Sequence, residues 1–246
     1  SGGVALNCVS NGKLLDKSGF KKIWVQPASG DSGSSVGCAL AYIYKEKNVR
    51  RKTLNYDSMS STYLGPGFEV EKIKKFLDKL SIPYTYKKKE DIFKSTANFL
   101  SQGSVVGWFQ GRMEFGPRAL GNRSILGDPR IKDMQKKMNI KIKNRESFRP
   151  FAPAILEEFK EEYFGLDNES PYMLFTRNLS KKYLVNPSLD RINLKGIEKV
   201  NEIRSELPAI THIDNSCRVQ TVSKLRNPEF YSLLREIYEM TNCPVL

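Results

Sequence analysis

The stretch VVGWFQGRMEFGPRALGNRS, residues 105–124, decides how the chain folds around its centre. Its first five residues form a short apolar run that is typical of a buried strand, and the glycines and proline that follow predict a loop. The loop carries three arginines, Arg112, Arg118 and Arg123. A planar guanidinium on a glycine-rich loop is suited to bidentate binding of phosphate or carboxylate. The alternative is that these arginines are structural and pair with acids such as Glu114 and Asp128.

Helices and strands are predicted to alternate on both sides of this stretch. Upstream, the pattern predicts a helix over 70–80, an edge strand over 82–86, and a helix over 91–102 that ends at Gly103. Downstream, it predicts helices over 131–142 and 156–164, a strand over 211–222, a helix beginning at Asn227-Pro228, and a strand starting at 244–246. This alternation is typical of the α/β class, and the α+β class remains open.

The first 61 residues have a different character from the rest. Residues 22–26 predict a short strand, residues 27–33 a loop of small residues, and residues 34–44 a helix. From residue 46 to residue 61 the sequence is polar and basic without a sustained period. The predicted organisation is therefore a first unit over 1–47, a linker over 48–61 and a larger domain over 62–246.

Positive charge is concentrated in the centre of the chain. The formal net charge is +13, and residues 111–150 contain eleven lysines and arginines against four acids, which gives +7 in 40 residues. Such focusing indicates a phosphate site or a nucleic-acid footprint. The alternative, a solvated helix face, suits the lysines at 132, 136 and 137.

A second cationic cluster follows the first. Lys143, Arg145 and Arg149 fall within seven positions, where they repel one another, so a bound anion would be a natural counter-charge. Solvated side chains on a surface loop are the alternative. Both interpretations stay open from the spacing alone.

His212 is the only histidine of the chain. In an extended strand it would share one face with Asp214, Ser216, Arg218 and Gln220. A lone histidine is more often structural than catalytic, but these polar neighbours argue against an ordinary apolar setting. We therefore predict that this face forms the polar wall of a phosphate pocket.

Composition and cysteine spacing narrow the class of protein. The longest apolar stretch, 38–44, is far shorter than a membrane span, and nothing at the start resembles a signal peptide. The four cysteines lie far apart without a C-x-x-C pair, which favours reduced thiols and a cytoplasmic protein. Because the chain opens on Ser rather than Met, we expect it to be a piece of a longer protein.

Three groups of residues carry a resemblance to a known family. They are GRMEFGPRALGNRSILGDPR at 111–130, IKNRESFRPFAP at 142–153, and SGGVALN with PASGDSG near the start. These strings resemble the bacterial O-carbamoyltransferases of the NodU/CmcH type. The resemblance covers nearly the whole chain, is most specific over 107–153 and is weakest over 165–207.

The resemblance implies a fold and a reaction. Residues 1–47 would be the strand–helix remnant of an ASKHA-like transfer domain, and residues 62–246 a YrdC-like twisted mixed sheet with flanking helices. The YrdC-like domain would use carbamoyl phosphate and ATP to form carbamoyl-adenylate. The ASKHA-like domain would then pass the carbamoyl group to a hydroxyl of a small molecule or glycoconjugate.

The resemblance also implies roles for particular residues. Lys143, Arg145 and Pro150 match a K-x-R-x4-P pattern at the nucleotide and acid site of YrdC-like proteins. The other residues expected to bind carbamoyl phosphate and ATP are Arg112, Arg118, Arg149, His212 and Arg218. On the ASKHA-like side, Gly2, Gly3 and Asn7 would line a nucleotide site, and Asp31 would be a metal ligand.

Cofactors and partners follow from the same resemblance. ATP is expected with Mg²⁺, and iron or another transition metal is expected in the intact ASKHA-like site. The partners would be carbamoyl phosphate and a hydroxyl-bearing acceptor; neither a membrane nor nucleic acid is expected, and a homodimer is left open.

Three departures from the family pattern set limits. The family's metal-binding histidines would lie before Ser1, and an N-T-S-F-N stretch of its nucleotide site would follow Leu246, so we expect this chain alone to be incomplete for full activity. Asn215 stands where a glycine is expected, which is compatible with a left-handed backbone there.

Two other functions remain open. One is a basic RNA-binding or nucleotide-binding YrdC-like module without catalysis, for which Trp108, Phe109 and Phe115 would be candidate stacking platforms. The other is a non-catalytic scaffold. Salt dependence separates RNA binding from a closed nucleotide pocket, because an RNA footprint loses affinity steeply as salt rises.

Overall fold

The computed structural model describes residues 1–20, 23–54, 57–186 and 194–246. The first part of the chain is helical. It contains α1 (Gly2–Ala5), α2 (Cys8–Lys17), α3 (Asp31–Ala41), which continues as a π-helical turn over Tyr42–Glu46, then α4 (Val70–Lys79) and α5 (Lys89–Ser101). Short strands then alternate with helices: β1 (Val106–Phe109), β2 (Arg123–Leu126), α6 (Met134–Lys137), β3 (Ala154–Leu156), α7 (Lys160–Phe164), β4 (Thr176–Asn178), α8 (Gly196–Asn201), β5 (Ser216–Arg218), β6 (Gln220–Val222) and α9 (Pro228–Thr241).

The described strands pair two by two. β1 and β2 are antiparallel, with Val106 opposite Leu126, and they bracket the arginine loop. β3 and β6 are parallel, and β4 and β5 are antiparallel. The end of the chain adds to β3 because the Ala154 N–H donates to the Leu246 carbonyl at 2.8 Å and the Leu246 N–H donates back at 2.9 Å. The fold is thus mixed α/β, and its assignment to the ASKHA-like and YrdC-like folds stays a prediction.

The clusters of the hydrophobic core are formed by residues from α5 onward. One cluster joins α5, β3 and α9, where Leu100, Leu156 and Leu233 are fully buried. A second cluster surrounds the other side of β3, including Ile155 and Val219. In contrast, α3 and α4 bury no residue. Within the described residues, no helix is both long enough and apolar enough to cross a bilayer.

Helix predictions that rest on amphipathic period and end signals are confirmed. α4 and α5 match the predicted ranges within about two residues, and Gly103 follows α5 with φ of +85°. α9 begins as expected, because the Asn227 side chain accepts a hydrogen bond from the Phe230 N–H and Pro228 occupies the first turn. The strand before the arginine loop is confirmed as β1, although Trp108 is its only buried residue.

Several other predictions are wrong. Residues 82–86 form no strand, since Pro83 lacks an N–H and no neighbouring strand pairs with this segment. Residues 23–26 form no strand either, and Lys22 lies outside the described residues. Leu156 belongs to β3 rather than to the following helix.

The predicted strand over 211–222 is also corrected. His212 to Asn215 form a turn, closed by hydrogen bonds from the His212 N–H to the Ser216 carbonyl and from the Asn215 N–H to the His212 carbonyl. Asn215 has φ of +64°, the left-handed conformation that the sequence allowed for. The shared face of His212, Asp214 and Arg218 therefore does not exist as one strand face. The boundaries predicted at residues 47 and 61 stay predictions.

Candidate functional site

A buried carboxylate closes the loop between β1 and β2. Glu114 Oε1 accepts hydrogen bonds from the Leu120 N–H at 2.6 Å and the Asn122 N–H at 2.9 Å. The loop turns through Gly116 and Gly121, which have φ of +124° and +103°. A Cβ at Gly121 would lie 2.3 Å from the Phe230 ring, so only glycine fits there. The loop conformation is thus stabilised by a side chain of the loop itself.

A network of amides and a tyrosine fixes the same loop from outside. The Tyr63 hydroxyl and the Gln220 amide both donate to the Leu120 carbonyl at 2.8 Å. Asn227 donates to the Tyr63 oxygen, and both Asn227 and Gln110 donate to Asn122 Oδ1. Burial is the largest cause of the raised pKa of Tyr63, which keeps its hydroxyl protonated as a donor. The Leu120 carbonyl at the loop base is therefore satisfied by side chains from two other segments, and Asn227 connects Tyr63 to the Asn122 side chain.

Arg118 and Arg218, which we call the inner pair, face the cavity described below. Arg118 Nη2 donates to the Leu6 carbonyl at 3.2 Å, so the segment before α2 contacts this side. The Nε atoms of both arginines are buried and make no hydrogen bond in the described structure. Burial and then the charge of Arg118 lower the pKa of Arg218. The inner pair therefore carries positive charge with unused donors.

Lys143, Arg145 and Arg149, the outer cluster, lie in the segment after α6. Arg145 Nε donates to Asn139 Oδ1 at 2.6 Å, and its guanidinium lies 5.1 Å from the centre of the Phe151 ring. Arg149 forms an exposed ion pair with Glu146 at 2.8 Å. Lys143 is an exposed residue, but partial burial of its amino group and then the charge of Arg145 lower its pKa. The outer cluster is thus only partly neutralised.

His212 and Asp214 approach the site from the turn before β5. His212 Nδ1 lies 3.2 Å from Asp214 Oδ1, which also accepts hydrogen bonds from the Ser216 N–H at 3.1 Å and the Ser216 hydroxyl at 2.6 Å. Partial burial raises the pKa of Asp214, but the hydrogen bonds from Ser216 outweigh it and the net pKa is lowered. Asp214 therefore stays ionised and orients the His212 ring.

These groups meet around one cavity of about 570 Å³. Its cationic lining consists of Arg118, Lys143, Arg145, Arg149 and Arg218, with His212 beside them. Its apolar lining includes Met134, Met138, Phe151, Ile210, Phe230 and Leu246. No aspartate or glutamate is among the described residues that line it. Five cations with no lining carboxylate make this a site for an anionic ligand that also has an apolar part.

The structure gathers most of the predicted site residues and leaves others apart. The six cationic and histidine positions of the lining were all predicted from sequence. Arg112 does not line the cavity; its Nε and Nη2 donate to the carbonyls of Gly65 and Leu64 at 2.8 Å. This arginine holds a neighbouring turn instead.

The residues predicted for the ASKHA-like side are separate from the cavity. Asn7 caps α2 by accepting from the Ser10 N–H, and the Gly2 N–H donates to the Ser29 carbonyl. Gly3 has open space around it. Asp31 starts α3, and the part of the chain that the structure describes contains no group of three His, Cys, Asp or Glu side chains that could hold a metal. Their binding roles stay predictions.

Some site residues were not found from sequence. Cys8, at the start of α2, lines the cavity, and so do Met134 and Met138. The helical spacing of the two methionines predicts a buried face but not what it faces. Glu114 was read only as an ion-pair partner, whereas its main contacts are backbone N–H groups. Sequence patterns show charge pairs more readily than carboxylates that hold a loop.

The chain matches known proteins over its full length. A family model described as carbamoyltransferase C-terminus matches residues 97–246, and one described as carbamoyltransferase N-terminus matches residues 1–40. An uncharacterized protein of Synechocystis is 51% identical over all of this chain and 40% of its own length. Nodulation protein NolO of Bradyrhizobium diazoefficiens is 37% identical and nodulation protein U of Sinorhizobium fredii 30%, with 41% and 38% of their lengths covered. The chain spans about two fifths of the length of these relatives.

Proposed function

The chain belongs to the carbamoyltransferase family, and from this premise we propose that its cavity binds carbamoyl phosphate and ATP and forms carbamoyl-adenylate. One observation carries the proposal: among the described residues, five cations and no carboxylate line a single cavity that also has an apolar side. Phosphate groups suit the cations, and the apolar side suits a nucleobase. The proposal also accounts for the unused donors of the inner pair.

The cations would act by position and charge. Carbamoyl phosphate would first be hydrolysed by water to carbamate and inorganic phosphate. A carbamate oxygen would then attack the α-phosphate of ATP and pyrophosphate would leave, so negative charge builds up on the phosphate oxygens. Arg118 and Arg218 have buried Nε donors that no described group uses, and a phosphate oxygen could accept from them. Donors fixed before the reaction stabilise this charge without reorganising. Lys143 and Arg145 would hold the departing pyrophosphate or carbamoyl phosphate.

Metal requirements follow from the ligands available. Since none of the described carboxylates lines the cavity, Mg²⁺ would be carried there by the phosphates of ATP rather than by the protein. Asp31 has no partner ligands among the described residues, so it fits a transition metal only with ligands from elsewhere.

The second half-reaction concerns the whole protein. We propose that the carbamoyl group passes to a hydroxyl of a small molecule or glycoconjugate, in an ASKHA-like domain of which residues 1–47 would be the end. The match of residues 1–40 to the family's N-terminal model supports this division. Two of the similar proteins reported above are named nodulation proteins.

Pyrophosphate exchange tests the first half-reaction. A protein that extends this chain to the length of its relatives should exchange labelled pyrophosphate into ATP only when carbamoyl phosphate is present. Lys143→Ala should abolish exchange, whereas Lys136→Ala, which does not line the cavity, should leave it unchanged. Exchange without carbamoyl phosphate, or equal effects of the two substitutions, would overturn the proposal.

Ligand binding by the 246-residue chain separates a nucleotide pocket from an RNA surface. Binding of ATP should survive a rise in salt that removes most RNA affinity, because an RNA footprint of several phosphates is strongly salt-dependent. Trp108 is buried and cannot offer a free stacking face, whereas Phe109 is half-exposed. Tight, steeply salt-dependent RNA binding together with absent ATP binding would favour the RNA-binding module.

A further inference from the structure

Glu114 is a buried carboxylate that forms no close ion pair in the described structure. Its side chain has 0% exposed surface, and Arg123 Nε lies 3.9 Å from Oε2, beyond hydrogen-bond distance. Oε2 makes no hydrogen bond in the described structure, whereas Oε1 accepts two. Burying a carboxylate is costly, and the two hydrogen bonds that Oε1 accepts from the loop backbone offset part of that cost.

The two hydrogen bonds span the part of the loop that carries Arg118. They connect the residue at the start of the turn to the backbone of Leu120 and Asn122, so residues 115–119 form the closed arc between them. Gly121 N–H, between these two donors, is satisfied by the Ser124 hydroxyl at 3.1 Å. Arg118 therefore projects from an arc whose ends cannot separate while Glu114 is in place.

From this geometry we propose that Glu114 is a positioning residue: its Oε1 closes the loop and thereby holds the Arg118 guanidinium at the cavity. The inference rests on the proposed function for the identity of the ligand. The Arg118 guanidinium donates from Nη2 to the Leu6 carbonyl at 3.2 Å, whereas its buried Nε makes no hydrogen bond in the described structure. The loop backbone fixes the other end of the side chain, and Glu114 is the acceptor that closes this loop.

A double-mutant cycle tests the proposal with pyrophosphate as the probe. Arg118→Ala should weaken pyrophosphate binding by about 10- to 100-fold, and Glu114→Ala should weaken it by a comparable factor. The double variant should bind no more weakly than Arg118→Ala, because Glu114 acts only through Arg118. Effects that multiply in the double variant would overturn the proposal.

Two further variants separate positioning from stability. Glu114→Gln retains an acceptor oxygen in place of Oε1 and should restore binding to within about threefold of the original chain, since Oε2 makes no hydrogen bond to lose. Ile237→Ala removes buried volume in α9 away from the cavity and should lower the melting temperature without changing affinity. If Glu114→Gln binds as weakly as Glu114→Ala, or if Ile237→Ala weakens binding as much, the proposal is wrong.

A measurement without ligand keeps the inference distinct from the proposed function. Trypsin cleavage between Arg118 and Ala119, followed by mass spectrometry, should be slow in the original chain and in Glu114→Gln and at least about tenfold faster in Glu114→Ala. Ile237→Ala supplies the control for general loosening. Failure of the original chain to bind pyrophosphate would refute the proposed function, whereas unchanged cleavage in Glu114→Ala would refute the positioning role.

Discussion

The inner pair and the outer cluster face the same cavity but are held in different ways. Arg118 projects from a loop fixed by buried hydrogen bonds, and Arg218 is enclosed beside it at the end of β5. In the outer cluster, Arg149 has an exposed carboxylate partner in Glu146, and Lys143 is open to solvent. In the inner pair, both Nε atoms are buried without a hydrogen-bond partner in the described structure, and the contact of Arg118 Nη2 with the Leu6 carbonyl offsets only part of the desolvation cost. In the outer cluster this cost is smaller, because Lys143 and Arg149 are exposed.

This difference teaches that equal charges need not contribute equally to binding. A buried Nε–H without a partner gains a hydrogen bond when an anion enters, and it loses no water in the process because it has already lost it. An exposed cation must exchange water or a carboxylate partner for the ligand. We therefore expect the effects of substitution to fall from the inner pair to the outer cluster.

Substitution of Arg218 should have the largest effect on binding. Arg218→Met keeps most of the side-chain volume and should weaken ATP or pyrophosphate binding by about 100-fold, the value of roughly 2–3 kcal/mol for a buried charge-assisted hydrogen bond. The melting temperature should not fall, because repulsion with Arg118 is relieved. Calorimetric titration measures the affinity, and thermal unfolding measures the melting temperature. A larger loss of affinity on substitution of Arg149 than on substitution of Arg218 would contradict the comparison.

Arg145→Lys should weaken binding by about tenfold, although it keeps the charge. The guanidinium donates to Asn139 through Nε and lies over Phe151 at the same time, and an ammonium cannot reproduce this planar arrangement. Titration with pyrophosphate measures the loss. Lys141→Arg, a change of opposite direction at a nearby exposed position outside the cavity lining, is the matched control and should have no effect. Full affinity in Arg145→Lys would show that only net charge matters in the outer cluster.

The pH dependence of binding should report Lys143. Its pKa lies below the ordinary lysine value, so in the free site it loses its charge at a lower pH than an exposed lysine does. Binding of an anion then requires proton uptake, and affinity should fall a few-fold as pH rises from the lowered pKa towards about 10.4.

Stability without ligand should change in the opposite direction over the same pH window. The unfolded chain binds more protons at Lys143 than the folded chain there, so this residue makes the folded state more stable as pH rises. Lys143→Arg should flatten both trends, because arginine stays charged. Affinity profiles of the original chain and Lys143→Arg that coincide would remove Lys143 from the site.

Arg149→Ala should have the smallest effect in the cavity. Its guanidinium already pairs with Glu146 at the surface, so a bound anion would only replace one carboxylate partner by another negative charge. Because the net gain from this exchange is small, binding should weaken less than about threefold when Arg149 is removed. The residual effect should vanish in high salt, because exposed charges are screened. Titrations at two salt concentrations check this, with Lys136→Ala for comparison. A tenfold loss that persists in high salt would place Arg149 with the inner pair.

The sequence predicted features whose causes are local. α5 and α9 were found because an amphipathic period, Gly103 and the Asn227-Pro228 cap are each written in a few adjacent residues. Arg118, Lys143, Arg145 and Arg149 lie in two short segments rich in positive charge, for which spacing alone left a bound anion and a structural or solvated role open. The family resemblance favoured the bound anion, and Arg218 was predicted from that resemblance and from a strand face that the structure corrects.

Features that depend on distant partners were missed. Residues 82–86 look like a strand, but a strand exists only when another pairs with it, and none of the described ones does. Arg112 looked like its neighbours in sequence, yet the carbonyls that hold it belong to Leu64 and Gly65, almost fifty positions away. Alternation could not reveal that the strand near His212 starts only at Ser216, because a turn stabilised by Asp214 interrupts it.

The contact between Gly121 and Phe230 has a consequence for how this sequence can change over time. An added Cβ would meet the ring in the first turn of α9, and the positive φ of Gly121 independently disfavours other residues. A larger residue at position 121 would therefore require a smaller side chain at position 230, whereas a smaller residue at 230 alone would meet no clash. Although the two positions lie 109 residues apart in the chain, the order in which they can change is thus fixed, with Phe230 before Gly121.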